Sequence, residues 1–294
     1  LQVFFMNQLN LFIELTRLKK PIGYMLLFWP CAWGLNLGYD FENNHNLYFF
    51  YLFLFFLGSV LMRSAGCIIN DITDKEFDKK VSRTKNRPIA SGKISVILGL
   101  LYSAILCLSA LIVLINFNKL TIILAFCSMP LAFTYPLMKR FTYWPQLFLG
   151  ITFNYGLILG WTSIENSINF IPIILYFGAI FWTLGYDTVY GYQDITDDEI
   201  IGVKSTSIKF KNNPKKFLFI CYSLTILSYL LLGQFMNFNF LFYVGAIFMI
   251  IHLFFYQLKK FNSKNINVCL SIFKSNNLFG FIVLISIILG KLNI

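Results

Sequence analysis

Runs of roughly twenty mostly apolar residues recur along this chain, and they constrain its fold more than any other feature. With 57% hydrophobic and only 13% charged residues, 294 residues supply too little polar surface for a soluble domain. The sequence therefore predicts an all-α, polytopic membrane helical bundle with about nine transmembrane helices, all within one domain covering residues 1–294. The predicted spans are 21–38, 47–69, 94–116, 119–138, 145–163, 170–187, 215–235, 239–257 and 277–291.

Lysine and arginine are distributed very unequally between the loops. With the N-terminus inside, the inner segments hold 21 of the 24 basic residues. The positive-inside rule therefore predicts an inner N-terminus, with residues 1–20 as an interfacial helix. It also predicts that 70–93 and 188–214 are cytoplasmic, Asp-rich loops.

Acidic residues are scarce in this chain, yet they gather in two clusters on the predicted inner face. Nine of the 13 acids lie in 71–78 and 187–199, although the net charge is +11. Four predicted spans separate the clusters, and both contain Asp-Ile-Thr-Asp. This arrangement indicates two four-helix repeats around a central cavity, with the clusters facing each other.

Each cluster places several carboxylates on one helix face if the preceding span continues into it. Such carboxylates repel each other unless a hard cation lies between them, and oxygen ligands favour Mg²⁺ over zinc. Six scattered cysteines and two histidines suggest neither a zinc site nor a disulfide framework. A solvated helix end would explain one acidic run, but two facing runs favour a Mg²⁺ site that grips a diphosphate. The residues on these faces are Asn70, Asp71, Asp74 and Asp78, and Asp187, Asp194 and Asp198.

Basic and phenolic residues near the same face supply candidate diphosphate ligands. Arg63 lies inside a span, where a charge is costly unless it faces a cavity and an anion. Tyr135 and Lys139 are one helical turn apart and Arg140 follows them, while Lys204 follows the second cluster. The ordinary alternatives are an aspartate partner for Arg63, membrane anchoring for Lys139 and Arg140, and loop solvation for Lys204.

Motifs that cover nearly the whole chain in order are Lys20-Pro-Ile-Gly23, Trp29-Pro30, Asn70-Asp71-x-x-Asp74-x-x-x-Asp78, Arg83-Thr-Lys-Asn-Arg87-Pro-Ile-Ala-Ser-Gly92, Tyr135-Pro-Leu-Met-Lys139-Arg140, Gly185-Tyr-Asp187-Thr-x-Tyr190, Asp194-x-x-Asp197-Asp198, Gly202-Val-Lys204-Ser-Thr206 and Ser275-Asn-Asn277. With these motifs the chain resembles the UbiA superfamily of intramembrane aromatic prenyltransferases, and its 4-hydroxybenzoate polyprenyltransferase branch in particular. One small departure is Thr196, where some relatives carry a further acid.

The resemblance implies a Mg²⁺-dependent enzyme of ubiquinone biosynthesis. It would transfer a polyprenyl group from polyprenyl diphosphate to the ring carbon ortho to the hydroxyl of 4-hydroxybenzoate, releasing diphosphate. Asp71 or Asp187 would activate the phenol or take the ring proton, and Arg140 would pair with the benzoate carboxylate. The implied metal ligands are Asn70, Asp74, Asp78, Asp194 and Asp198, and the implied diphosphate ligands are Arg63, Tyr135, Lys139 and Lys204.

Two other functions remain open at this level. The acceptor could be a different aromatic acid or a quinone or haem precursor. A cation-coupled transporter would also combine two repeats with acids near the membrane, although transporters tend to place ion sites near the bilayer midplane. We expect a bacterial inner membrane rather than a mitochondrial one, the lipid bilayer as a partner, and no nucleic acid; no protein partner can be inferred.

Overall fold

The computed structural model describes residues 2–41 and 45–292, and the described side chains begin at Gln8. All of its regular structure is helical within these ranges, which confirms the all-α prediction. The helices are α1 (Gln2–Thr16), α2 (Ile22–Gly38), α3 (His45–Thr73), α4 (Lys75–Asp78), α5 (Val96–Leu114), α6 (Lys119–Thr134), α7 (Met138–Phe141), α8 (Pro145–Asn154), α9 (Gly156–Glu165), α10 (Phe170–Gly191), α11 (Ile195–Ile201), α12 (Thr206–Lys209), α13 (Pro214–Phe235), α14 (Phe240–Ile250) and α15 (Ile266–Gly290). A 3-10 turn, Tyr135–Leu137, joins α6 to α7, and a π-helical segment, Ile251–Leu258, extends α14.

Eight helical segments in the described ranges are long and apolar enough to cross a membrane. The remaining predicted span, 21–38, corresponds to α2, whose 17 residues give a length of about 26 Å, somewhat less than a typical hydrocarbon core. The expectation of about nine spans therefore agrees with the architecture.

Several predicted spans differ from the helices in their ends or continuity. The span predicted at 145–163 is broken at Tyr155 into α8 and α9, and α10 continues past the predicted end at 187 to Gly191. The last span begins at Ile266 rather than at 277. Asn276 lowers the apolarity of this part of α15, but it accepts a hydrogen bond from Trp182 at 2.7 Å inside the bundle. A polar residue with an internal partner is compatible with a buried helix.

Close helix packing holds the bundle together around α2. A Cβ at Gly34 would lie 1.9 Å from the carbonyl oxygen of Leu157, and one at Gly160 would lie 2.3 Å from that of Cys31. The two glycines therefore let the backbones of α2 and α9 approach each other, as small residues do between membrane helices.

The helices that lead into the acidic clusters occupy matching places in the bundle. The first cluster follows α3, which packs on the next long helix, α5; the second follows α10, which packs on α13. These equivalent pairings agree with the predicted internal repeat. The first helix, α1, packs beside α3 through an apolar cluster of Leu15, Ile68, Ile89 and Ile94. Whether α1 lies at the membrane surface stays a prediction.

Candidate active site

The two acidic clusters meet at one end of the bundle. Arg83, which follows the first cluster, donates from Nε to Oδ1 of Asp194 at 2.7 Å and from Nη2 to Oδ2 of the same carboxylate. The backbone N–H of Ser82 donates to Oδ2 of Asp197 at 3.0 Å. Residues more than a hundred positions apart in the sequence therefore form one polar site.

Both clusters have the same local structure. In each, a long helix ends and an aspartate precedes a short helix: Asp74 precedes α4, and Asp194 precedes α11. The N–H of Asp78 donates to the carbonyl of Asp74 at 2.8 Å, and that of Asp198 donates to the carbonyl of Asp194 at 2.8 Å. An aspartate at such a position usually caps the helix with its side chain, but neither carboxylate does so here. Their oxygens are thus directed to other partners.

The donor set of the site fits Mg²⁺, although no three His, Cys, Asp or Glu side chains among the described residues are already arranged around a metal position. Some carboxylate oxygens of the site form ion pairs with basic side chains instead: Lys139 pairs with Oδ2 of Asp74. The other oxygen of Asp74, Oδ1, is buried without a hydrogen-bond partner, and the neighbouring Asn70 amide makes no hydrogen bond within the described ranges. A buried carboxylate oxygen without a partner needs a cation or a donor. Oxygen-only ligands at this position are those that Mg²⁺ prefers.

Burial makes ionisation of the two principal carboxylates less favourable. It raises the pKa of Asp74, and Lys139 opposes that shift. Burial, together with the neighbouring Asp194 carboxylate, raises the pKa of Asp198 to about 6, while Lys139 and Arg83 oppose the shift. A bound divalent cation would restore the ionised forms of both groups.

The raised pKa of Asp198 predicts a pH-dependent metal requirement. Because Mg²⁺ binds the carboxylate and not the carboxylic acid, protonation below about pH 6 competes with the metal. We expect the Mg²⁺ concentration for half-maximal activity to rise about tenfold between about pH 7 and pH 5. Initial rates over a Mg²⁺ titration at each pH measure this. A half-saturating concentration that stays constant over this range would contradict the prediction.

A second group of polar side chains lies deeper, inside the bundle. The guanidinium of Arg63 lies 5.3 Å from the ring centre of Phe153 and interacts electrostatically with Tyr135 and Asp187. Gly23 leaves the space for this arginine, since a Cβ there would be 3.0 Å from its Nε. Asp187 makes no hydrogen bond or ion pair within the described ranges, so its carboxylate is available to a ligand.

Asp71, a predicted catalytic residue, is instead held by two arginines. Its carboxylate is 2% exposed and pairs with Arg17 at 2.5 Å and with Arg87 at 3.1 Å. Arg87 also pairs with Asp78 at 2.8 Å. These contacts favour a structural role for Asp71 and Asp78, whereas Asp74 keeps one carboxylate oxygen without a hydrogen-bond partner. The assignments of Asp71, Asp74, Asp78, Asp194 and Asp198 all stay predictions.

The sequence alone indicated no role for Arg17 at this site, because Arg17 is one of three basic residues that precede the first predicted span. The backbone of Arg17 has a φ of 56°, a left-handed conformation that non-glycine residues seldom adopt. Only the chain reversal between α1 and α2 brings this side chain onto Asp71, which is 54 residues away.

Replacing Arg17 by glutamine should destabilise the protein. Removing one partner leaves a buried carboxylate with Arg87 alone, and breaking such pairs costs up to about 3–5 kcal/mol. We expect a melting temperature several degrees lower in detergent. The exposed neighbour Lys19 provides the matched control, because Lys19→Gln removes the same charge but should change the melting temperature very little. Equal melting curves for the two variants would contradict the structural role of Arg17.

The remaining predicted residues lie around the acidic site. Arg140 donates from Nη2 to the carbonyl of Thr73 at 2.7 Å, directly beside Asp74. The backbone N–H of Lys204 donates to the carbonyl of Lys139 at 2.9 Å. This hydrogen bond connects the loop after the second acidic cluster to the segment that carries Lys139 and Arg140. The Lys204 ammonium lies 5.7 Å from the ring centre of Tyr143.

Comparison with known proteins identifies the family of this chain. The model of the UbiA prenyltransferase family matches residues 27–285. The chain belongs to the UbiA prenyltransferase family. A bovine (Bos taurus) relative named "4-hydroxybenzoate polyprenyltransferase, mitochondrial" is 43% identical over 288 residues, which cover 96% of this chain and 75% of that protein.

Solved structures of UbiA proteins have the same fold. An apo UbiA homologue from Aeropyrum pernix superposes with a TM-score of 0.76 at 20% identity, covering 92% of this chain and 99% of that one. A UbiA homologue from Archaeoglobus fulgidus, described as bound to DMAPP and Mg²⁺, gives a TM-score of 0.69 at 19% identity, covering 95% and 97% of the two chains.

The expectation of a bacterial inner membrane is wrong. UbiA relatives that are 39–47% identical to this chain come from eukaryotes and are named as mitochondrial proteins. The basic-residue count could not have shown this, because positive-inside asymmetry gives an orientation relative to a membrane and does not identify the membrane.

Proposed function

We propose that this chain transfers a polyprenyl group from polyprenyl diphosphate to the ring carbon ortho to the hydroxyl of 4-hydroxybenzoate, with Mg²⁺ and with release of diphosphate. One observation carries the proposal: the two aspartate clusters of this chain meet at one end of the helical bundle. Over 96% of its length, the chain is 43% identical to a protein named as a 4-hydroxybenzoate polyprenyltransferase. A cation-coupled transporter has no comparable support.

The acidic site binds the diphosphate end of the donor. Asn70, Asp74, Asp194 and Asp198 would hold Mg²⁺, which neutralises the diphosphate and makes it a better leaving group. Lys139 pairs with Asp74 and Arg83 pairs with Asp194, so both basic groups are also placed to donate to diphosphate oxygens. As the bond between the allylic carbon and the diphosphate oxygen breaks, the electron pair leaves with the diphosphate.

The deeper group of side chains serves the acceptor. The ortho carbon of the phenol forms the new bond to the allylic carbon, and the ring then loses the proton from that position. Asp187 is the base that we propose for this proton, because its carboxylate has no ion pair or hydrogen bond in the described part of the chain, whereas Asp71 is held by two arginines. Aromatic faces such as Phe153 can stabilise the positive charge that develops on the allylic carbon, by about 0.5–2 kcal/mol each.

The test is direct. Membranes that contain the chain are incubated with polyprenyl diphosphate, 4-hydroxybenzoate and Mg²⁺, and released diphosphate and product mass are measured. We expect diphosphate release that requires all three components and stops on chelation of the metal, together with a prenylated hydroxybenzoate. Diphosphate release without prenylated hydroxybenzoate would show a different acceptor, and no release at all would overturn prenyl transfer.

Arg140 is proposed to bind the carboxylate of the acceptor, so Arg140→Ala should raise the KM for 4-hydroxybenzoate more than that for the prenyl donor. Loss of a charge-assisted bidentate hydrogen bond costs about 1.5–3 kcal/mol, which corresponds to roughly a ten- to hundredfold rise in KM. Steady-state kinetics with each substrate varied in turn measure the effect.

Arg63, the arginine beside Asp187, is the comparison for this prediction. If Arg63→Ala raises the KM for the aromatic acid while Arg140→Ala leaves it unchanged, the carboxylate partner is Arg63, and the role of Arg140 is rejected.

A further inference from the structure

A cleft of about 650 Å³ opens between the start of α13 and the segment that joins the π-helical extension of α14 to α15. The start of α13 lies at the same end of the bundle as the end of α10 and the second acidic cluster, so the cleft opens at that end. Its lining contains none of the residues of the acidic site. We call it the lysine cleft, after the four lysines that surround it: Lys215, Lys216, Lys259 and Lys260.

The lysine cleft is strongly cationic. All four lysines are exposed, and none has an acidic partner within 4.0 Å among the residues that the structure describes. By contrast, Lys211 just outside the cleft pairs with Glu199 at 2.7 Å. Four uncompensated positive charges around one concave surface repel each other, so the cleft would be stabilised by a bound anion.

A helix terminus adds to this charge. The 22-residue helix α13 begins at the cleft wall, and Asn213 before it does not cap it with its side chain. Backbone N–H groups in an uncapped first turn are left available to an anion, and the helix dipole favours negative charge at that position. The cleft therefore combines lysine ammonium groups with backbone donors.

Exposed apolar residues lie about four residues from the lysines along the same helices, on the side away from the end of the bundle. Phe219 follows Lys215 by four residues and is 52% exposed, and Phe255 precedes Lys259 by four residues and is 66% exposed. Tyr256 precedes Lys260 by four residues, and the Lys260 ammonium lies 4.9 Å from its ring centre. The surface thus passes from cationic to apolar within about 6 Å along each helix, which is the rise of four residues.

We propose that the lysine cleft binds the headgroup of an anionic phospholipid, whose acyl chains lie along Phe219 and Phe255. A soluble phosphate would use only the lysines and the helix terminus, whereas a phospholipid uses the apolar residues as well. Basic pockets between membrane helices have this form when they bind lipids with phosphate headgroups. Because the cleft carries four lysines, a phospholipid with two phosphates should bind more tightly than one with a single phosphate.

The experiment measures lipid retention by the purified chain in an uncharged detergent, using native mass spectrometry. The probes are cardiolipin with two phosphates, phosphatidylglycerol with one, and phosphatidylcholine with no net charge. We expect the affinity to fall in that order, and the double variants Lys215→Gln/Lys216→Gln and Lys259→Gln/Lys260→Gln each to weaken cardiolipin binding by about tenfold or more.

The matched control is Lys80→Gln/Lys93→Gln. It removes two exposed lysines that lie in the loop of the first acidic cluster, outside the cleft, and it should change cardiolipin binding by less than about twofold. Equal retention of phosphatidylcholine, or an equal loss in the control variant, would overturn the site. Complete displacement of cardiolipin by inorganic phosphate at an equal concentration would show an ion site without a lipid contribution, and would also overturn the proposal. Because two separate double variants are compared, one that fails to fold leaves the other as the test.

Discussion

Prenyl transfer is expected to fall by about a thousandfold or more when either Asp74 or Asp198 is replaced by asparagine. Each substitution keeps the size of the side chain and removes one ionised ligand from the proposed Mg²⁺ site. Asp74 has a buried oxygen without a hydrogen-bond partner, and burial raises the pKa of both carboxylates, a cost of ionisation that a bound cation would offset. Product formation at saturating donor and acceptor is the measurement.

Glu76 provides the matched control for these variants. It lies in the same cluster, but its side chain is 74% exposed and pairs only with Lys79 at the surface. Glu76→Gln should therefore retain near-normal activity. All three variants should still accumulate in membranes, which separates loss of chemistry from loss of the protein. Near-normal turnover by the Asp74 or Asp198 variant would reject the assignment of that residue as a metal ligand.

The second large effect is expected at Asp187. If its carboxylate takes the ring proton, Asp187→Asn should lower kcat by about 10²- to 10⁴-fold, the usual contribution of a general base. The KM for the prenyl donor should change little, because the proposed diphosphate site is the acidic site and does not include Asp187. Steady-state kinetics with the donor varied at saturating acceptor separate the two parameters.

Asp71→Asn distinguishes this role from a structural one. Asp71 is held by Arg17 and Arg87, so its substitution should lower the melting temperature as well as the activity. Asp187→Asn should lower the melting temperature less than Asp71→Asn does, since within the described residues Asp187 makes no ion pair and only a longer-range interaction with Arg63. If Asp187→Asn retains normal kcat, Asp71 becomes the better candidate for the base.

The basic residues at the acidic site have two functions in this interpretation. Before substrate binds, Lys139 and Arg83 offset the repulsion between closely spaced carboxylates. When the donor arrives, the same cations can turn to the diphosphate, whose charge exceeds that of any single carboxylate. A site that alternates acids and bases is therefore stable without ligand and complementary to a metal diphosphate.

Much of the architecture follows from the sequence alone. Hydropathy depends on consecutive residues, so long apolar runs identified nearly all of the spans. The continuation of the preceding span through the first acidic cluster, which would have placed Asp71, Asp74 and Asp78 on one helix face, does not occur: α3 ends at Thr73, and the short helix α4 begins at Lys75. Helix ends were less predictable, as the early start of α15 at Ile266 illustrates. Polar Asn276 lowers the hydropathy of this segment, and its hydrogen bond from Trp182, 94 residues away, depends on the tertiary structure.

Some features of the site likewise follow from the sequence, and others follow only from the tertiary structure. The sequence by itself determined which residue types are present, their spacing within each cluster, and the sharing of one motif by two clusters. Only the tertiary structure decided that Arg83 joins the clusters across 111 residues and that Arg17 pairs with Asp71. It also decided that Asp187 makes no ion pair or hydrogen bond with the other described residues. The physical reason is that hydropathy and helical periodicity act between neighbours in the chain, whereas ion pairing depends on distance in space, which the packing of the helices sets.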